Sequence, residues 1–124
     1  LEGISEALAA EVAPFGVRVL IVEPGAFRTG FGGPRMHRSR EIEEYRVSAG
    51  PTRAAVDAMD GRQPGDPAKA ARTILRVLDS DHPPLRLALG DDAVTQLRAH
   101  QRRLGEELDH WAAVSAATDL DAVG

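Results

Sequence analysis

At 124 residues the chain suffices for one small domain, and its net charge of −4 argues against nucleic acid as the main partner. It has no cysteine, which excludes a disulfide framework and a thiolate metal site. No apolar run approaches the roughly 18 residues a bilayer requires, and no charged-then-apolar leader opens the sequence, so a soluble cytoplasmic protein off the membrane is expected.

The chain opens at Leu1, directly inside a helical pattern, and reads as a piece of a longer one. Leu1, Ile4, Leu8 and Val12 form one apolar stripe at helical spacing, with Glu2, Glu6 and Glu11 off it. The predicted helix covers residues 1–13, because Pro14 disfavours helical geometry in the residue before it. Gly16 then turns the chain into a strand over 17–23. Its unbroken run Val19-Leu20-Ile21-Val22 predicts burial on both faces, inside a parallel sheet. That strand ends in Pro24-Gly25, and Thr29 follows four residues after the glycine. Ligands of such sheets bind outside the carboxyl ends of the strands.

Residues 30–65 carry little regular signal. Gly30, Gly32, Gly33 and Pro34 break structure, and short helices are predicted over 41–49 and 52–59. Phe31, Met36, Tyr45 and Met59 give this stretch apolar anchors, so it reads as a substrate lid rather than as disorder. Asp66-Pro67 then starts a helix, an N-cap carboxylate followed by proline at the first helical position. Its predicted buried face is Ala71, Ile74, Leu75 and Leu78. A short strand over 85–89, with three leucines on one face, closes at Gly90. From Ala93 a long helix follows, with Val94, Leu97, Leu104, Leu108 and Trp111 at heptad positions and Gln101 and Ser115 as polar members. It either packs on its own domain or pairs with another subunit. The tail from Thr118 is expected to fray. His37, His82, His100 and His110 show no metal-ligand spacing, so no metal is expected.

In this order the residues resemble the short-chain dehydrogenase/reductase family, C-terminal portion. The matching text is Leu1-Glu2-Gly3-Ile4-Ser5-Glu6-Ala7-Leu8, then Gly16-Val17-Arg18-Val19, then Val22-Glu23-Pro24-Gly25-Ala26-Phe27-Arg28-Thr29. Asp66-Pro67 and the strand before Gly90 fit the family's ending. The resemblance implies an α/β fold, the C-terminal part of a Rossmann-like doubly wound parallel sheet. Residues 1–90 would belong to the NAD(P)-binding domain, with 30–65 as lid, and 91–124 would be a helical extension.

The family's loop after its sixth strand contacts the nicotinamide carboxamide. Carried across, Pro24, Gly25, Phe27 and Thr29 would hold the NAD or NADP of the parent enzyme. Phe31, Met36, Tyr45 and Met59 would line an apolar pocket for a small alcohol or carbonyl substrate. Arg28 or Arg35 would be available to an acidic group. The resemblance also implies a homo-oligomer, through helix 1–13 or through helix 66–79 with strand 85–89.

The family's Gly-rich dinucleotide turn and its catalytic Ser, Tyr and Lys have no counterpart here. Gly30-Phe31-Gly32-Gly33 neither follows a strand directly nor opens a helix. Tyr45 has Ala49, not Lys, four residues on. The fragment alone is therefore expected to be inactive, with a Lys and a Tyr lying upstream of Leu1 in the parent. The alternative reading is a self-standing helical interaction module using the stripe of residues 94–115.

Overall fold

The computed structural model describes residues 1–33 and 36–120. It is an α/β fold around a parallel two-stranded sheet, ordered β1(Ile21–Pro24) and β2(Arg86–Leu89). The register pairs Ile21 with Arg86 and Pro24 with Leu89. Four helices complete it: α1(Glu2–Val12), α2(Arg46–Met59), α3(Pro67–Leu78) and α4(Asp91–Ala116). No helix among the described residues is long and apolar enough to cross a membrane.

Helix α1 ends one residue before the predicted stop, yet Ala13 stays helical at φ −54° and ψ −41° despite the proline after it. The chain tightens there into a 3-10 turn over Ala13–Phe15, and proline is tolerated in a first turn, where its missing N–H has no partner to lose. Gly16 ends the turn at φ 71°, a left-handed value that glycine adopts without steric cost.

The strand is shorter than 17–23. Residues 17–20 lie outside the ladder, because β2 offers four residues of pairing and these match 21–24. Nor is the strand buried on both faces: Ile21, Val22 and Glu23 are half-buried. The apolar core of the described residues is correspondingly small, with Leu89 and Ala93 buried outright.

Where two short helices over 41–49 and 52–59 were expected, a 3-10 turn at Glu43–Tyr45 leads into one helix, α2, over Arg46–Met59. Pro51 lies inside α2. Proline normally blocks this by striking the Cβ of the preceding residue. Here that residue is Gly50, which has none, so this part of the clash is relieved, while the Val47 carbonyl still lacks the N–H that proline cannot supply.

Helix α3 begins as predicted. Asp66 Oδ1 accepts from Ala68 N–H at 2.8 Å and Lys69 N–H at 3.2 Å. These two backbone bonds, Lys69's foremost, hold the Asp66 carboxyl below the usual carboxylate range. At the other end, Arg18 donates to Ser80 C=O and Leu78 C=O, both at 3.2 Å, so a cation satisfies the carbonyls of the last turn. The buried face of α3 is rotated from the predicted one. Ala70, Thr73, Ile74 and Val77 are half-buried, whereas Ala71 is exposed and Leu75 is 62% exposed. Only one edge of the apolar stripe of α3 is covered, and Ala70 and Ile74 on that edge line an open cleft shared with Val22 and Leu89 of the sheet.

Gly90, at φ 97°, turns β2 into α4, which begins with Asp91 and Asp92 rather than at Ala93. Two carboxylates in a first turn complement the positive end of the helix dipole. The first two turns of α4 pack beside β2. Beyond them Leu104, Leu108, Trp111 and Val114 are exposed, as are Leu1, Ile4 and Leu8 on α1.

A charge cluster ties α1 to the sheet. Arg86 donates to Glu2 Oε2 at 2.6 Å, to Glu6 Oε1 at 2.7 Å and to Glu23 Oε1. Hydrogen bonding and then the charge of Arg86 hold the Glu2 carboxyl below the usual carboxylate range. Glu2 therefore binds its proton less readily folded than unfolded. Its contribution to docking α1 is fully present above about pH 4.3, the ordinary glutamate value, and is lost as pH falls through the lowered folded value. Amide hydrogen exchange of α1 across an acid titration is expected to speed up in that window. Arg86→Gln should abolish this acid step, and a step that survives in the variant would exclude Arg86 as its source.

Candidate functional site

Residues 24–29 leave the carboxyl end of β1 and are held from three sides. Gly25 N–H donates to Leu89 C=O at 2.9 Å. Ala26 N–H donates to Asp92 Oδ2 at 2.6 Å. Phe27 forms an isolated parallel bridge with Gly65, in which Gly65 N–H donates to Ala26 C=O at 3.0 Å and Arg28 N–H to Gly65 C=O at 2.8 Å. A parallel bridge of this kind leaves the N–H and C=O of Phe27 facing away from Gly65. The carbonyl accepts from Thr29 N–H at 2.9 Å, and among the described residues no protein acceptor meets the Phe27 N–H.

This segment walls an open cleft of ≈ 860 Å³. Val56 and Met59 of α2 and Ala70 and Ile74 of α3 line it as well. Six of the eight predicted site residues meet there: Pro24, Gly25, Phe27, Thr29, Phe31 and Met59. Tyr45 and Met36 do not. Tyr45 lines a separate hollow of ≈ 240 Å³ with Ile42 and Arg53. It sits at the start of α2 while Met59 ends it, and a 14-residue helix separates its ends by about 20 Å. Met36 lines a third hollow with His37 and Arg38. Arg28 is engaged by the protein, since Nε and Nη2 donate to Gln63 C=O at 3.2 and 3.0 Å. Arg35 lies outside the described residues.

The donors and acceptors on the wall suit a carboxamide. The Phe27 N–H is a free donor. The Thr29 hydroxyl accepts from Phe31 N–H at 3.3 Å and keeps its own proton to give. The space beside Gly25 is already filled: a Cβ there would lie 2.1 Å from Asp92 Oδ1. A flat ring would therefore meet the Phe27–Thr29 part of the wall rather than the Gly25 Cα.

Two residues of this site escape a reading of the sequence. Asp92 pins the turn from the start of α4, and the acidic pair directly after Gly90 was the available signal for a helix start there. Gln63 is 6% exposed and lines the cleft. It stands between Arg62 and Pro64 in an irregular stretch, where no periodicity marks it.

A solved short-chain dehydrogenase from Streptomyces avermitilis superposes with a TM-score of 0.79 at 53% sequence identity, over 96% of this chain and 43% of that one. The chain belongs to the short-chain dehydrogenase/reductase family and corresponds to its C-terminal portion. An oxidoreductase of Botryotinia fuckeliana is 34% identical over 116 residues, 94% of this chain. A 3-ketodihydrosphingosine reductase of Bacteroides thetaiotaomicron is 34% identical over 92 residues, 73% of this chain. The chain spans 42% and 34% of the lengths of these two curated relatives. No protein-family model matches it. Within the short-chain dehydrogenase fold, β1 and β2 are neighbouring strands of the Rossmann-like parallel sheet, and the cleft opens at their carboxyl ends.

Proposed function

We infer that the chain forms one wall of the nicotinamide and substrate site of an NAD(P)-dependent oxidoreductase acting on an alcohol or carbonyl compound. One observation carries this reading. Residues 24–29 leave a parallel strand at its carboxyl end and wall a large, mainly apolar cleft, with an unpaired backbone N–H and a hydroxyl. The nicotinamide supplies the hydride chemistry when bound.

The protein's part here is placement. Phe27 N–H and the Thr29 hydroxyl hold the carboxamide, which fixes which face of the ring meets the substrate. Phe31 and Met59 shape the substrate side, and residues 30–65 act as a lid over it. The Bacteroides relative is a 3-ketodihydrosphingosine reductase, a keto-group reductase by name, which favours a carbonyl–alcohol pair over other hydride acceptors.

The complete gene product, assayed with NAD and NADP against a panel of apolar alcohols and ketones, is expected to turn over at least one pair. Turnover with neither cofactor would overturn the reading. Thr29→Val should weaken nicotinamide-nucleotide binding about tenfold, the effect of losing one hydrogen bond to a buried polar group. Unchanged affinity by titration calorimetry would remove Thr29 from the site.

A further inference from the structure

A second hollow, of ≈ 420 Å³, lies across the Pro24-Gly25 turn from the cleft. Pro24, Gly25 and Gln96 line both, so the turn is a partition between the two spaces. Both therefore adjoin the carboxyl end of β1, where sheets of this kind take their ligands. The other wall of the second hollow is a face of α4. Gln96, His100 and Arg103 line it at spacings of four and three, which puts them on one side of the helix. Ala93, buried, and Leu97, half-buried, add apolar surface.

This part of α4 carries charge of one sign. Residues 93–105 include Arg98, His100, Arg102 and Arg103 and no carboxylate, in a chain whose net charge is −4. The acids that follow do not neutralise them. Arg102 with Glu106 and Arg103 with Glu107 are i,i+4 pairs with the cation first, the weaker order on a helix. Among the described residues neither pair closes an ion pair. Glu2, close enough to His100 for their charges to interact, is taken by Arg86 at 2.6 Å.

We propose that Arg103 and His100 bind an anionic group, a carboxylate or a phosphate, at the far end of the carbonyl or alcohol substrate whose reacting carbon lies in the neighbouring cleft. The proposal rests on the oxidoreductase reading for the word substrate. A planar guanidinium pairs two oxygens of either anion at once, and imidazole adds a donor in either protonation state. A cationic ligand would meet the Arg103 charge and no carboxylate. The Pro24-Gly25 partition sets the anion apart from the Phe27–Thr29 wall, so a spacer joins it to the reacting carbon. The apolar surface of Pro24, Ala93 and Leu97 suits a hydrocarbon one.

The test uses the complete gene product, titrated by calorimetry without and with nicotinamide nucleotide. The probes are para-acetylbenzoate, para-acetylphenyl phosphate and the neutral para-methylacetophenone. At least one anion is expected to bind about tenfold or more tighter than the neutral ketone, the effect of one charged hydrogen bond. The tighter anion identifies the group. Arg103→Gln should erase this preference and leave para-methylacetophenone unaffected, and His100→Gln should reduce it by a smaller factor. Arg98→Gln removes the same charge from a residue that does not line the hollow, and should keep the preference. An exposed side chain without an ion pair is lost at little cost, so Arg103→Gln should melt as the parent does. No preference in the parent, a preference kept in Arg103→Gln, or one lost equally in Arg98→Gln would overturn the proposal. So would an Arg103→Gln variant that binds nicotinamide nucleotide more weakly while still preferring the anion, which assigns the arginine to the cofactor. Binding is read here, not turnover. An Arg103-dependent preference in a protein that turns over no carbonyl would uphold the anion site and sink the oxidoreductase reading alone.

Discussion

Adding one methyl group at Gly65 is expected to destabilise the chain by roughly 1–3 kcal/mol, the usual range for overpacking a tight site, and to release Phe27 from the cleft wall. A Cβ at Gly65 would lie 2.6 Å from Phe27 Cδ1 and 2.8 Å from Ala26 O. The second contact is with backbone, so no rotamer change relieves it. The two segments must part, and both hydrogen bonds of the 26–28 to 65 bridge lengthen. Gly65→Ala should therefore lower the urea midpoint and speed exchange of the Arg28 amide. Gly3→Ala is the matched control. Nothing lies within 4 Å of a Cβ there, and the residue sits inside α1. That variant should be neutral or gain about 0.5–1 kcal/mol from helix propensity. Unchanged Arg28 protection in Gly65→Ala would show that the bridge absorbs the methyl, and would remove the steric account of this glycine.

What the sequence revealed, and what it hid, divide by the range of the interactions involved. The Asp66 cap, the Gly16 and Gly90 turns and the Pro24-Gly25 exit depend on neighbours within a few residues, and all are legible. That the first strand belongs to a parallel sheet was legible from its continuous apolar run, whereas its burial on both faces was not borne out. The failures come from packing. The period of α3 shows a stripe but not which edge of it is covered. The two short helices expected over 41–49 and 52–59 are joined through Pro51, where Gly50 relieves part of the steric clash. The pocket was predicted from apolar anchors, and Tyr45 and Met36 are apolar anchors of other hollows. Asp92 and Ala26 stand 66 residues apart, and Arg28 and Gln63 stand 35 apart. Nothing local marks either pair, yet together they hold the wall of the site.

The pairing of Asp92 with the 24–26 turn carries the second large effect, and it is expected to be non-additive. Asp92→Ala removes the acceptor of Ala26 N–H, a bond to a charged group worth roughly 1.5–3 kcal/mol. Exchange of the Ala26 amide should accelerate accordingly. Gly25→Ala attacks the same bond from the other side, since its Cβ would lie 2.1 Å from Asp92 Oδ1 and 2.4 Å from Asp92 Cγ. The carboxylate must swing away, and the Ala26 bond goes with it. Either change alone therefore loses largely the same interaction. In the Asp92→Ala background the obstruction at Gly25 is gone, so Gly25→Ala should then cost far less than it does alone. The coupling energy should be on the order of 1–3 kcal/mol, with the double variant more stable than the sum of the two single losses. Additive losses would mean that the glycine is needed for its backbone conformation and not for the carboxylate beside it. The same cycle, read by nicotinamide-nucleotide affinity in the complete gene product, asks whether α4 sets the position of the cleft wall proposed to hold the nicotinamide. If it does, loosening the first turn of α4 weakens binding through Ala26 without touching any residue that meets the cofactor, and Asp92 is a positioning residue of the site.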